Sequence, residues 1–257
     1  MRQQRRRRAV HPILFQIGGL TIYSYGVFVL LGFIAYTVVV FYEGRRRGQS
    51  WGELLILFMA ALVGSVLGSR VVLILMLGPE PALLDFYTLF LPGTMLFHYM
   101  GMLVGGYVGV VIAKTSMGLP YLVGDIFAPA LALMMTIVRV GCFLGGCCYG
   151  KPTDLPWAIE LHGARRHPTQ LYELSFQLAF FLLLWYLRDH MPRPDDLLKL
   201  YLGSYAIFRF FNEFWRVNPV VALGMTVPQF ICLGILLWLA YVLLTRGRGF
   251  VGEGMWW

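Results

Sequence analysis

Apolar runs of about 20 residues recur along nearly the whole of this chain, separated by short polar breaks, and about 20 residues is what an α-helix needs to cross the hydrocarbon core of a bilayer. In that solvent every backbone N–H and C=O must be satisfied within the protein, which leaves helices or a closed barrel. By their length the runs read as helices. Composition agrees: 58% of the 257 residues are hydrophobic and 13% charged, against roughly 25% charged in an ordinary soluble domain. The expectation is an all-α, polytopic membrane protein, one integral-membrane domain over residues 1–257.

About seven transmembrane helices can be drawn, near 23–42, 52–77, 95–114, 121–145, 170–188, 198–215 and 228–245. Threading them places EGRRRGQ, AKTSMG, LRDHMPRPDDLLK and the tail TRGRG on one side. These carry most of the loop Lys and Arg, so that side is read as the cytoplasm. Residues 1–22 form a basic arm, read as retained, and residues 146–169 a small extracytoplasmic insert between spans four and five. The arm's arginines run against the positive-inside pattern; it lies on anionic headgroups, or its start is misassigned, or the first span differs. The formal charge of +8 is spread over the ends of apolar runs and makes no basic face, so membrane lipids and no nucleic acid are the expected surroundings. Glycines 64 and 68, and 101, 105 and 109, form small-residue stripes that let helices approach closely.

Charge inside such spans costs roughly 2.5 to 3.5 kcal/mol at the helix centre and normally faces a partner or a wet cavity. The candidates are Arg70, Asp125, Arg139, Arg209 and Glu213. Asp125 sits near a cytoplasmic end and reads as interfacial. In YAIFRFFNEFWR, Tyr205, Arg209 and Glu213 recur every four residues and share one helical face. An Arg209–Glu213 ion pair is the bland reading. Arg70 and Arg139 also lie near outward ends, however, so three guanidiniums would face one neutralising carboxylate, and such a cluster wants an anion. The alternative is that Arg70 and Arg139 snorkel to the interface.

His98 and His167 open the third and fifth spans, where an imidazole either anchors the helix or moves a proton. Three of the four cysteines lie in VRVGCFLGGCCYGKPT. The pattern Cys142-x4-Cys147-Cys148, with no following Cys or His pair, does not match zinc-chelating spacing, so no metal is expected. Thiol redox chemistry and simple packing stay open. No cofactor motif is present: the Gly-rich GMLVGG lies inside an apolar span without the strand that a dinucleotide or phosphate loop needs.

Taken in order, YSYGVFVLLGF, LGSR, GDIFAP, RVGCFLGGCCYGKP, RHPTQLYE, FRFFNEFWR and GMTVPQ resemble the prolipoprotein diacylglyceryl transferase family of bacterial inner membranes, over nearly the whole chain. The resemblance implies transfer of the sn-1,2-diacylglyceryl group of phosphatidylglycerol to the lipobox cysteine of prolipoprotein signal peptides, with release of glycerol phosphate, by a multi-pass enzyme of the inner (cytoplasmic) membrane. It implies Arg139, Arg70, Gly150 and Tyr205 as substrate-binding residues, and Tyr25, His98, Arg209 and Glu213 as catalytic ones. Glu213 would orient Arg209, and a phenol or imidazole would take the thiol proton. The chain departs from the family pattern at Cys142, where Asn is usual, and at Cys147 and Cys148, where Glu precedes the final aromatic-glycine pair. His98 lies two positions from the matching histidine, a turn of about 200° on a helix. A related transferase with another lipid or acceptor, or a nonenzymatic lipid-binding or thiol-redox protein, is the alternative.

Overall fold

The computed structural model describes residues 11–18, 20–77, 99–119, 124–191 and 193–245. In these residues the chain forms helices α1 (Ser24–Arg46), α2 (Trp51–Leu77), α3 (Tyr99–Ser116), α4 (Gly124–Leu144), α5 (Thr169–Leu187), α6 (Asp196–Asn212) and α7 (Val227–Thr245). Each falls on a run drawn from the sequence. Five of them, α1, α2, α4, α5 and α7, are long and apolar enough to cross a membrane. The outer faces of α1, α2, α5 and α7 carry exposed Leu30, Val38, Val63, Leu67, Leu182, Leu237 and Leu243. Such a belt has no place in water and suits acyl chains.

The chain is mostly helical, as expected, and small strands are added to the helices. Three antiparallel hairpins decorate one end: β1 (Ile13–Ile17) with β2 (Leu20–Tyr23), β3 (Ile159–Leu161) with β4 (Ala164–Arg166), and β5 (Val220–Ala222) with β6 (Met225–Thr226). The strands have two to five residues, too short for alternation to stand out in sequence. Their turns are readable in retrospect: His162-Gly163 and Leu223-Gly224 all have positive φ, the geometry of a two-residue hairpin turn.

Helix α4 is the hub, packed against α1, α5 and α6, while α2 packs chiefly on α3. Ala128, Ala130 and Ala132 are fully buried and keep the approach to α4 close. At the α2–α3 crossing, a Cβ on Gly64 would collide with the Gly105 carbonyl and one on Gly68 with the Gly101 carbonyl. The small-residue stripes are thus a packing device.

One local arrangement sets the height of the site. Helices α4 and α6 start side by side, tied by reciprocal caps: the Asp125 carboxylate accepts the N–H groups of Asp195 (3.0 Å), Leu197 (3.0 Å) and Leu198 (3.3 Å). In return the Asp195 carboxylate accepts Gly124 N–H at 2.7 Å. A carboxylate is well suited to a helix start, where N–H groups lack intrahelical partners. Asp125 is therefore a buried cap, not the interfacial residue expected from its place in the sequence. Arg139 and Arg209 each follow their aspartate by 14 residues, a rise of about 21 Å along either helix. The parallel pair delivers both guanidiniums to one level.

Candidate active site

Helix α5 runs the other way and brings Glu173, in its second turn, to that level. Its carboxylate is fully buried. Oε2 lies 2.6 Å from Arg139 Nη2 and 3.9 Å from Arg216 Nη1, and Oε1 is 3.5 Å from Arg209 Nη1. Tyr205 donates its hydroxyl to Glu173 Oε1 at 2.7 Å. Arg209 Nη2 also lies 2.8 Å from Glu213 Oε2, the pair expected from their spacing, and Arg216 Nε is 3.8 Å from the same oxygen. Glu213 is held from its other side by Asn218 and by Thr226 Oγ1 at 3.0 Å.

The cluster thus holds three buried guanidiniums on two buried carboxylates, an excess of one positive charge. Arg139 Nε and Gln170 Oε1 are buried without a hydrogen-bond partner among the described residues. A buried donor left over beside excess positive charge is an arrangement suited to an anion.

Two members were not selected from the sequence, and one selected residue is not among these ion pairs. The third cation is Arg216, while Arg70 is half-buried on α2 and takes no part in the ion pairs around Glu173 and Glu213. The second carboxylate is Glu173, so Glu213 is not the sole anion. Gln170, Glu173 and Gln177 are all fully buried and recur at three- and four-residue spacing, a polar stripe on an apolar helix that was available as a signal.

Gly150 closes the loop after α4. Its N–H donates to the His167 carbonyl at 3.0 Å, and it bridges to Arg216. A Cβ here would stand 2.6 Å from His167 Cβ and 2.7 Å from the Trp215 carbonyl oxygen, so only glycine lets the three segments meet. Tyr25, in the first turn of α1, lies against Gly141 and Gly145 and is within electrostatic reach of Arg139 and of Cys142, Cys147 and Cys148. His98 lies outside the described residues. His167 Nδ1 is 3.3 Å from the Tyr172 hydroxyl, and burial pushes this imidazole below its ordinary 6.5. An apolar cavity lined by Tyr36, Phe127, Leu131 and Leu202 reaches Lys114 and Asp195 but none of the clustered arginines.

The loop following α4 is tied down at its carbonyls. Gln170 Nε2 donates to Cys147 O at 2.6 Å, and Thr169 Oγ1 and Arg216 Nη1 donate to Cys148 O at 2.8 and 3.1 Å. Arg139 Nη1 points at Cys142 Sγ from 3.9 Å. One compact site therefore joins the ends of α4 and α6, the start of α5 and the first turn of α1.

Comparison with known proteins decides what kind of protein carries this site. The prolipoprotein diacylglyceryl transferase family model matches residues 12–245. The chain belongs to the prolipoprotein diacylglyceryl transferase family. Among its relatives, the phosphatidylglycerol–prolipoprotein diacylglyceryl transferase of Clostridium tetani is 31% identical over 86% of this chain and 92% of that protein. The enzymes of the same name from Bordetella bronchiseptica and Legionella pneumophila are 31% and 30% identical, over 93% and 96% of this chain and 94% and 96% of their own lengths. The match runs through every element of the site, from Tyr25 on α1 to Thr226 on β6.

Proposed function

We propose that this protein transfers the diacylglyceryl group of phosphatidylglycerol to the cysteine thiol of a prolipoprotein, and that it does so at the arginine cluster around Glu173. The observation that carries the placement is the excess positive charge, buried in a helical bundle whose outer surface suits lipid. Guanidinium forks match phosphate oxygens, and the anion at hand in a bilayer is a phospholipid headgroup.

In this reading Arg139 and Arg209 hold the phosphate, and Glu173, paired with both, sets their spacing. Tyr205 orients Glu173, and Glu213 orients Arg209. The acceptor thiol, whose ordinary pKa is about 8.5, gives up its proton. Its sulfur forms a bond to the glycerol carbon that bears the phosphate, the C–O bond there breaks, and the electron pair leaves on glycerol phosphate. Charge grows on the phosphate oxygens as that bond opens, and fixed guanidiniums stabilise it without reorganising. The proton is assigned to the His98 imidazole, a group suited to proton transfer near neutral pH, with Tyr25 hydrogen-bonding the reacting groups from α1. Arg70, about two turns before the end of α2, is assigned to reach the headgroup layer. All seven helices cross the bacterial inner membrane, with the residue 146–169 insert, the hairpins and the active site facing outward, where a signal peptide's lipobox arrives.

Purified protein incubated with phosphatidylglycerol and a lipobox peptide should form a thioether-linked diacylglyceryl peptide. No product, under conditions where a family member is active, would contradict the reading. Neutral lipids or a Ser-for-Cys peptide should give none.

A further inference from the structure

Three sulfurs meet in this site although their spacing in sequence gives no sign of it. Cys142 lies in the last turn of α4, and the turn at residues 145–146 folds Cys147 and Cys148 back upon it. The Sγ atoms of Cys142, Cys147 and Cys148 all lie within 4.8 Å of one another. Zinc–thiolate bonds of about 2.3 Å set sulfurs about 3.8 to 4.0 Å apart in tetrahedral or trigonal coordination. Small side-chain rotations would therefore bring all three sulfurs onto one ion.

The backbone holds them there. Cys148 has φ of 58°, a left-handed conformation rarely adopted by residues other than glycine, asparagine and aspartate, and one that persists where the surroundings over-determine it. Those surroundings are the donors from Thr169, Gln170 and Arg216 on the Cys147 and Cys148 carbonyls. Charge also fits. A zinc ion with three thiolates carries one net negative charge, and Arg139 Nη1 lies 3.9 Å from Cys142 Sγ. A buried charge needs such a partner.

We propose that Cys142, Cys147 and Cys148 form a three-thiolate zinc site whose fourth position takes the thiol of the acceptor cysteine. The group has three members among the described residues, and zinc sites with three protein ligands keep a position for water or substrate. The substrate of the proposed reaction is a thiol, and a thiol bound to zinc is deprotonated. The acceptor R–SH binds as R–S⁻ and its proton passes to the base. The sulfur then forms the C–S bond as the C–O bond breaks with its electron pair to the phosphate. A neutral thioether, a poor ligand, leaves the metal. The assignment of the fourth position rests on the proposed function; the metal site does not.

Cobalt(II) separates the two. The full-length protein, purified and kept reduced and anaerobic in detergent, should bind one cobalt or zinc equivalent, with a thiolate-to-cobalt charge-transfer band and tetrahedral ligand-field bands. Cys142→Ser, Cys147→Ser and Cys148→Ser should each lose the charge-transfer spectrum, while Cys232→Ala, on α7 and outside the group of three sulfurs, should keep it. Arg209→Ala, whose guanidinium pairs with Glu173 and Glu213 and not with the three sulfurs, should also keep it although its transfer is slowed. Adding a lipobox peptide should change the ligand-field bands, and its Ser analogue should not. Absence of the band, its survival in the three Ser variants, or a disulfide among these cysteines in anaerobically purified protein would overturn the metal site. A band indifferent to the Cys peptide would overturn the substrate position. A normal band and peptide response without any transfer would instead count against the proposed function.

Discussion

The two ends of the helical bundle both bury charge, but they use it differently. At one end Asp125 and Asp195 are consumed by backbone N–H groups, and Glu43 is surrounded by Arg46 at 2.7 Å, Arg188 at 3.6 Å and Arg47 at 3.9 Å. Acids there fasten helix starts and neutralise the neighbouring loop arginines. At the other end Arg139, Arg209 and Arg216 share Glu173 and Glu213, and positive charge is left over. The first end is a clamp, and the second is a site. Because α4 and α6 run between them, the clamp fixes the height at which the site's two central arginines meet.

Substitutions should separate these roles. The largest effect on chemistry is expected for Arg139→Ala, which removes a fixed charge from the departing phosphate: transfer should fall about 10²- to 10³-fold with helical content unchanged, as read by product formation and circular dichroism. Glu173→Ala should cost the most stability, about 3 to 5 kcal/mol, because three guanidiniums would then face one carboxylate in a buried setting. Thermal unfolding in detergent measures this, and an unchanged midpoint would mean the carboxylate is not needed to hold the arginines. Asp125→Ala should act at the clamp, lowering stability by about 1 to 2 kcal/mol through lost caps while leaving KM for phosphatidylglycerol unchanged in the folded fraction. A raised KM would show the two ends to be more tightly coupled than the helix geometry requires. The smallest effect belongs to Asp189→Asn, which breaks an exposed contact to Arg46 of 2.6 Å, and the unfolding midpoint should not move.

The same contrast explains what the sequence revealed. Helices were legible because apolar length is a local property, and the Arg209–Glu213 pair because i,i+4 spacing is one too. Glu173 and Arg216 lie within RHPTQLYE and FRFFNEFWR, but nothing local tells that α5 turns its second-turn carboxylate toward arginines on α4 and beyond α6. Asp125 was misread for the same reason: its partners, the N–H groups of Asp195, Leu197 and Leu198, are 70 or more residues away. Arg70 was grouped with Arg139 by its position at a span's end, a criterion that fixes height in the membrane but not which face a side chain takes. The cysteines show the reverse case, in which a spacing that argues against chelation along the chain becomes a cluster once the turn after α4 closes.

The central claim is that the buried positive charge around Glu173 holds the lipid phosphate through transfer. Initial rates of diacylglyceryl transfer from phosphatidylglycerol to a lipobox peptide, compared between wild type and Arg139→Ala at equal amounts of folded protein, test it most directly. Robust product from wild type and a loss of about 10²-fold or more in the variant is the predicted result. Equal rates in the two proteins would contradict the account.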